Sequence, residues 1–180
     1  MSALIVEIAN QHPRLHVKRA EVKRAFATLA KFAEQIVLPK TLPAGTKTEP
    51  PTAARQAKAT ASPVTLSVVF MTDDALAQLH ADFLDDPTPT DVITFEGSPE
   101  LGTAGEICVS ADRAAAFAAE HQRDFSEELT LYLVHGWLHL AGYDDLKPTL
   151  KRQMRAAETR AMRCLSEAEA IPHFTIAAHK

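Results

Sequence analysis

Residues 135–145, which read His-Gly-Trp-Leu-His-Leu-Ala-Gly-Tyr-Asp-Asp, constrain the fold more than any other part of the chain. His135 and His139 stand four residues apart in an apolar segment. A helix there would place both imidazole rings on one face, close enough to share one metal ion. Gly142 ends the segment and lets the chain turn back over that face. A third ligand after the turn would leave one position open for water, as in a catalytic rather than a structural zinc site.

The two acids after the glycine are the candidates for that third ligand. Asp144 and Asp145 follow the turn directly, and Asp145 stands six residues past His139. An isolated pair of histidines at this spacing is a weak signal, because histidines on apolar helix faces are usually core residues. The apolar neighbours strengthen it, since a dry wall increases the effect of an ion on its ligands. These neighbours are Leu133, Val134, Trp137, Leu138 and Leu140.

The residue after the first histidine bears on the type of reaction. Zinc peptidases of the His-Glu-x-x-His type carry a glutamate there, and it acts as the general base. In this chain the position is Gly136. A peptidase built on this helix would lack its usual base, so other metal-dependent hydrolases are favoured.

The composition indicates an ordinary globular domain. The chain has 180 residues, of which 46% are hydrophobic and 23% are charged, and this length is enough for one domain with a proper core. No apolar run approaches the roughly 18–20 residues that cross a bilayer, so no membrane association is expected. The N-terminal residues do not resemble a signal peptide. We therefore expect a cytoplasmic protein in which Cys108 and Cys164 are reduced and buried.

The charge distribution is more informative than the net charge of −4, which by itself argues mildly against a nucleic acid partner. Basic residues form two clusters, each of which is also compatible with the solvated face of a helix. One cluster follows the histidine motif, with Glu158 as the only acid among Lys147, Lys151, Arg152, Arg155, Arg160 and Arg163. The other comprises Arg14, Lys18, Arg19, Lys23 and Arg24.

The order of the predicted elements indicates the α+β class. Alternating or β-branched runs predict strands at residues 4–9, 64–71, 91–95 and 105–110. Apolar residues at helical spacing predict helices at residues 19–37, after Thr72, at 111–121, from an N-cap at Ser126 to Gly142, and at about 147–168. We expect a small mixed four-stranded sheet flanked by helices, with the two histidines on a helix that ends at a glycine turn.

The same pattern predicts one domain spanning residues 1–168. Residues 39–63 contain five prolines and almost no large apolar side chains, so we expect a mobile proline-rich insert within this domain. Residues 169–180 are expected to form a C-terminal tail.

Residues 135–145 resemble the signature His-Gly-x-Leu-His-Leu-x-Gly-Tyr-Asp-His of the YbeY family, the metal-dependent endoribonucleases of bacterial rRNA maturation. Two upstream segments extend the resemblance. Residues 89–95, Pro-Thr-Asp-Val-Ile-Thr-Phe, are similar to the family's Pro-Thr-Asp/Asn-Val-Leu-Ser-Phe strand, and residues 105–110 to its Gly-Asp-Ile-x-Ile-Ser strand. The match covers about residues 64–163 in order.

The resemblance implies one Zn²⁺ per chain, held by His135, His139 and the residue at position 145, with a zinc-bound water as the nucleophile. It implies cleavage of single-stranded RNA during maturation of the 16S rRNA 3′ end and late ribosome quality control. The expected partners are therefore rRNA and the small ribosomal subunit, and no DNA is expected.

Asp145 and Leu84 depart from the family pattern. The family usually has histidine at position 145 and commonly has an arginine, thought to act on RNA, at position 84. An aspartate oxygen is a suitable zinc ligand at about 2.0–2.2 Å. Its negative charge predicts a less acidic metal-bound water and more tolerance for harder ions such as manganese. Phosphate binding would then fall to the basic residues Lys151, Arg152 and Arg155.

The general base is left open between Asp144 and Glu106. Each also has a structural interpretation, Asp144 as a turn-capping residue and Glu106 as a surface residue on a strand. Two alternative functions remain beside the endoribonuclease. One is another metallohydrolase on the same site, and the other is a non-catalytic RNA-binding module associated with the ribosome.

Overall fold

The computed structural model describes residues 4–37, 63–84, 88 and 90–177. The strands are β1 (Leu4–Asn10), β2 (Leu15–Val17), β3 (Val64–Met71), β4 (Val92–Glu96), β5 (Thr103–Ser110) and β6 (Phe174–Ile176). The helices are α1 (Arg19–Lys31), α2 (Ala33–Ile36), α3 (Asp73–Leu84), α4 (Ala111–Glu120), α5 (Phe125–Leu140) and α6 (Pro148–Glu167). The proline-rich insert predicted at 39–63 lies, except for Pro63, outside the described residues.

A mixed four-stranded sheet in the order β1-β3-β5-β4 forms the centre of the fold. β1, β3 and β5 are parallel, and β4 runs antiparallel to β5 at one edge. The parallel strands are connected through helices, as crossover connections require. The prediction of an α+β fold with a small mixed sheet is confirmed.

The sheet is covered on both faces, and side chains of β5 alternate between the two. Ile107 faces α5 in the larger core cluster, together with Leu133, Leu138 and Met154. Cys108 points to the other face, where it packs with Val69, Met71, Leu76 and Ile93 under α3. This alternation follows from the two-residue period of a strand, and it decides which side chains reach α5.

A second, two-stranded sheet joins β2 to β6 and was not predicted from the sequence. β6 lies within residues 169–180, the predicted tail. Phe174 of β6 is buried and packs against Phe70, with 5.5 Å between the ring centroids. The part of the tail that the structure describes therefore contacts the core of the domain.

The predicted N-cap at Ser126 is wrong. Helix α5 begins two residues earlier, at Phe125, and Asp124 caps it by accepting a hydrogen bond from the backbone N–H of Glu127. Ser126 is buried, and its hydroxyl group exchanges hydrogen bonds with the backbone of Phe174 in β6 instead. The sequence pattern around Ser126 is typical of a helix cap, but its hydroxyl group is hydrogen-bonded to β6, which lies far away in the sequence.

The predicted helix 19–37 is interrupted at Phe32, which separates α1 from α2. Among the helices in the described ranges, none combines the length and the apolar character that crossing a membrane requires.

Candidate metal centre

Helix α5 lies tight against the sheet because Gly136 faces it. A Cβ atom at this position would lie 2.7 Å from Cγ2 of Ile107, 3.1 Å from Cγ2 of Val92 and 3.3 Å from Cγ2 of Thr94. These distances leave no room for a side chain. His135 and His139 project from the flank of the helix next to this contact, where both are partly exposed. Gly136 is thus needed for close packing, and its position determines where the two rings lie relative to β4.

The two imidazole rings face each other through the same type of nitrogen. Nε2 of His135 lies 2.9 Å from Nε2 of His139. Asp145 approaches both rings, with Oδ2 at 4.0 Å from Nε2 of His135 and Oδ1 at 3.9 Å from Nε2 of His139. One ligand atom from each of the three residues lies within 4.8 Å of the others. Ligand atoms of a tetrahedral zinc site are about 3.3 Å apart, so small movements of Asp145 would close the set.

The other nitrogen of each ring is held by a hydrogen-bond acceptor. Nδ1 of His135 lies 2.6 Å from Oε1 of Glu158, and Nδ1 of His139 lies 3.0 Å from the backbone carbonyl oxygen of Tyr143. A carbonyl oxygen only accepts, so Nδ1 of His139 carries the hydrogen atom. The same assignment suits the carboxylate of Glu158. Both Nε2 lone pairs are then directed into one space, and this donor set fits a divalent cation.

The glycine turn after α5 positions the carbonyl of Tyr143 and the carboxylate of Asp145. Gly142 has φ of 87°, a left-handed conformation that favours glycine. Its N–H donates to the carbonyl of His139 at 2.8 Å, and the N–H of Tyr143 donates to the carbonyl of Leu138 at 2.9 Å. This pair of bonds is a Schellman motif. It brings the carbonyl of Tyr143 to His139 and returns Asp145 toward the two rings.

The two histidines differ in their affinity for protons. Burial is the largest single effect on each histidine, and taken alone it would lower the pKa of both. For His135 the hydrogen bond and charge of Glu158, with the charges of Asp91 and Asp145, outweigh burial, so its pKa is raised. For His139 burial and the neighbouring charge of His135 lower the pKa. A proton is therefore held by His135 in preference to His139, and a metal ion bound to both rings would displace it.

Asp144 and Glu106, the two predicted candidates for general base, lie in different places. Oδ1 of Asp144 accepts the backbone N–H of Leu146 at 3.0 Å, which is a turn-capping contact, and its negative charge partly offsets the lowering of the His139 pKa. Glu106 lies on the opposite face of the sheet from α5, where Sγ of Cys108 donates to its Oε1 at 3.6 Å. The structure does not bring Glu106 to the histidines, because odd-numbered residues of β5 face α5.

Burial raises the pKa of the Cys108 thiol to about 12, so this cysteine is protonated. Cys108 and Cys164 are both free, as predicted, but only Cys108 is buried, and the prediction that Cys164 is buried is wrong because it is partly exposed.

The predicted RNA-binding residues Lys151, Arg152 and Arg155 are exposed on α6. With about 100° of rotation per residue, Lys151 and Arg155 share the side of the helix that carries Glu158, and Arg152 lies a further part of a turn away. Another basic residue of this helix is occupied elsewhere, since Arg160 donates from Nε and Nη2 to the carbonyl of Ile36 at 3.1 and 2.8 Å. Helix α3 ends at Leu84, whose side chain lies outside the described part of the chain.

Glu158 contacts a predicted metal ligand, although the sequence analysis gave it no role in the site. A signal was present, because Glu158 is the only acid among the basic residues between Lys147 and Arg163. An acid in such a run, one helical turn after the buried Met154, indicates a carboxylate directed toward the neighbouring helix.

The fold and these ligand atoms define an α+β protein with a candidate metal centre of two histidines and an aspartate. Residues 46–166 match the family model described as Endoribonuclease YbeY. The Endoribonuclease YbeY of Protochlamydia amoebophila is 42% identical over 109 residues, covering 58% of this chain and 72% of the relative. That of Chlamydia abortus is 40% identical over 112 residues, covering 58% and 71%.

The solution structure of TM1509 from Thermotoga maritima is similar in fold, with a TM-score of 0.55 and 20% sequence identity, covering 92% of this chain and 93% of that one. On the family model and the relatives, the chain belongs to the endoribonuclease YbeY family.

Proposed function

We propose that the chain is a zinc-dependent endoribonuclease that cleaves single-stranded RNA, and that it acts in maturation of the 16S rRNA 3′ end and in late ribosome quality control. As a member of its family it is a hydrolase that acts on RNA. The observation that carries the metal dependence is the pair of Nε2 atoms 2.9 Å apart, each on a ring whose Nδ1 is already engaged.

One zinc ion per chain would be held by His135, His139 and Asp145. When bound, such an ion supplies an acidified water and a Lewis acid for the phosphodiester. Glu158 and the carbonyl of Tyr143 keep the two rings in place, and the carboxylate of Glu158 makes His135 a stronger donor. These roles are supported by the 2.6 and 3.0 Å contacts to the Nδ1 atoms.

Asp144 is the proposed general base, because it adjoins Asp145 and its charge reaches His139. Its Oδ1 caps the turn at Leu146, which leaves Oδ2 to accept a proton. Lys151 and Arg155 are proposed to bind RNA phosphates, since they lie on the Glu158 side of α6. Arg152 is proposed as a more peripheral phosphate contact.

The cellular setting belongs to the same proposal. The partners are rRNA and the small ribosomal subunit, and the location is the cytoplasm. The proposed catalytic domain spans residues 1–168, and β6 from the segment after it pairs with β2 of this domain.

A cleavage assay on the purified chain tests the proposal. Zinc is counted first, and activity is then measured on a single-stranded RNA, the same RNA in a duplex, and a single-stranded DNA of the same sequence. Cleavage is expected only of the single-stranded RNA, and a chelator should abolish it. His135→Ala and His139→Ala should each lose zinc and activity.

His121→Ala is the matched control, because His121 is exposed and stacks on Phe117 away from the ligand set. Cleavage that survives the chelator and both histidine variants would overturn the metal-dependent mechanism. Binding of RNA without cleavage by the zinc-loaded chain would favour the non-catalytic module. The rRNA role is tested on small-subunit particles that carry an unprocessed 16S 3′ end.

A further inference from the structure

An exposed aromatic ring stands at the end of α3 and has no role in the site described above. The side chain of Phe83 is 65% exposed. Its ring meets that of Phe95 in a T-shaped contact, with 5.2 Å between centroids and 68° between planes. Phe95 packs in turn against the cluster under α3. Since a T-shaped contact uses the edge of one ring, Phe83 is held in place while most of its surface stays open.

β4 connects this ring to the metal centre. Val92 and Thr94 direct their side chains to one face of the strand, toward Gly136, the residue that follows His135. Phe95 points to the opposite face, where Phe83 covers it. The helix that carries the two histidines and the aromatic pair thus contact opposite faces of the same edge strand.

β4 is an edge strand of the sheet among the residues that the structure describes. The N–H of Ser110 donates to the carbonyl of Asp91 at 2.9 Å, so odd-numbered residues of β4 direct their backbone groups to β5. Those of Thr94 and Glu96 point outward, and no strand within the described ranges pairs with them. Phe83 stands beside this edge, on the α3 face of the sheet.

We propose that Phe83 stacks against a nucleobase of the RNA substrate, at a nucleotide near but not adjacent to the cleaved phosphate. This inference rests on the proposed function. An aromatic face binds any base, because every base has a π face, so the contact adds affinity without reading sequence. Only an unpaired, unstacked base offers its face to a side chain, and Phe83 therefore favours single-stranded over duplex RNA. Phe95 positions the ring and does not touch the substrate.

Replacement of Phe83 tests the stacking. In Phe83→Ala, KM for a short single-stranded RNA should rise roughly 5- to 100-fold, the range expected for loss of one stacked base. The value of kcat and the zinc content should be unchanged. Phe83→Tyr should restore KM because it restores the ring, whereas Phe83→Leu should not, although it keeps an apolar side chain. The control is Ile5→Ala, which removes an exposed apolar side chain from β1 at the opposite edge of the sheet.

A spectroscopic measurement separates stacking from general packing. Phe83→Trp places an indole at the site, and its fluorescence is compared with that of the unaltered chain, whose only tryptophan is Trp137. Oligouridylate should quench the added emission, and an oligomer of the same length without bases should not. Equal quenching by both oligomers would overturn the inference, as would KM values for Phe83→Ala and Phe83→Leu equal to those of the unaltered chain.

These outcomes are distinguishable from failure of the proposed function. If the unaltered chain cleaves RNA and Phe83→Ala does so with the same KM, only the stacking fails. If the unaltered chain does not cleave RNA, the proposed function fails, and quenching by oligouridylate still decides whether Phe83 contacts a base.

Discussion

Oε1 of Glu158 lies 2.6 Å from Nδ1 of His135, across the interface between α6 and α5. The two residues are 23 positions apart in the sequence, yet the orientation of a predicted metal ligand depends on this contact. A carboxylate in this position fixes the ring, fixes its tautomer and raises its basicity.

Substitution of Glu158 by glutamine should therefore weaken metal binding. We expect zinc affinity to fall about 10- to 100-fold, because the neutral amide of glutamine holds the His135 ring less firmly and lacks the negative charge of the carboxylate. Titration against a competing chelator measures the change. The control is Glu167→Gln, an exposed acid at the end of the same helix. Equal affinity in Glu158→Gln and the unaltered chain would show that the contact does not support the ligand.

Asp145→His should shift both the pH profile and the metal preference. A neutral third ligand raises the net charge of the site, so the pKa of the water on the ion falls. The acid limb of the pH–rate profile is expected to move to lower pH, and the ratio of manganese- to zinc-supported activity should decrease. Both are measured on the two proteins reconstituted with each metal. An unchanged pH–rate profile and an unchanged metal preference would contradict the effect of Asp145 on the ion and its bound water.

Gly136→Ala should destabilise the protein and disturb the site together. The new methyl group would lie 2.7 Å from Cγ2 of Ile107, which is fixed at a branched Cβ and cannot swing away. The expected loss is about 1–3 kcal/mol of the free energy of unfolding, with weaker zinc binding as α5 moves off the sheet. Urea unfolding and chelator titration measure the two effects.

Ile107→Ala removes the atom that clashes, so a double-mutant cycle tests the cause. The double variant should be more stable than the sum of the single changes predicts. Strict additivity would mean that the contact with Ile107 is not responsible.

Asp112 should make stability depend on acid pH. Its carboxylate accepts hydrogen bonds from Nε2 of His12, from Nη2 of Arg14 and from the backbone N–H of Asp73. Burial is the largest single effect and raises the pKa of Asp112, but these hydrogen bonds and the charge of Arg14 outweigh it, so the pKa is lowered. Because the pKa of Asp112 is lower in the folded than in the unfolded state, its ionised carboxylate stabilises the protein above the unfolded-state pKa of about 3.9. This stabilisation is lost as the pH falls from that value through the folded-state pKa.

Asp112→Asn is thus expected to be less stable than the unaltered chain at pH 7 and to lose less stability on acidification. Urea unfolding between about pH 7 and pH 3 measures both slopes. Asp74→Asn, which changes an exposed acid in α3, is the control. Parallel pH dependence in Asp112→Asn and the unaltered chain would contradict the assignment.

Ser126→Ala should lower the free energy of unfolding by about 1–3 kcal/mol, because the buried N–H and carbonyl of Phe174 would lose their partner. The distance from the N–H nitrogen of Phe174 to Oγ of Ser126 is 3.0 Å, and both residues are buried. Thermal or urea unfolding measures the loss, and Ser166→Ala at the exposed end of α6 is the control. Equal stability of the two variants would show that β6 contributes little to the domain.

Patterns along the chain were sufficient for much of the architecture. The strand and helix periods predicted the sheet and the long helices, and the Schellman turn at Gly142 was foreseeable because that backbone conformation favours glycine. The histidine spacing placed two rings on one face, since the geometry of a helix is local. These features depend on residues that are close together in the sequence.

Other features depend on which distant segments meet, and no local pattern contains that information. The short β2 and β6 exist only as a pair, so neither has a signal of its own. Serine is a favoured residue type for a helix cap, but tertiary packing places the hydroxyl group of Ser126 where it accepts a hydrogen bond from the N–H of Phe174. Glu106 and Glu158 are both acids near the motif in the chain. The alternation of β5 sends Glu106 to the far face of the sheet, whereas the packing of α6 on α5 brings Glu158 to His135.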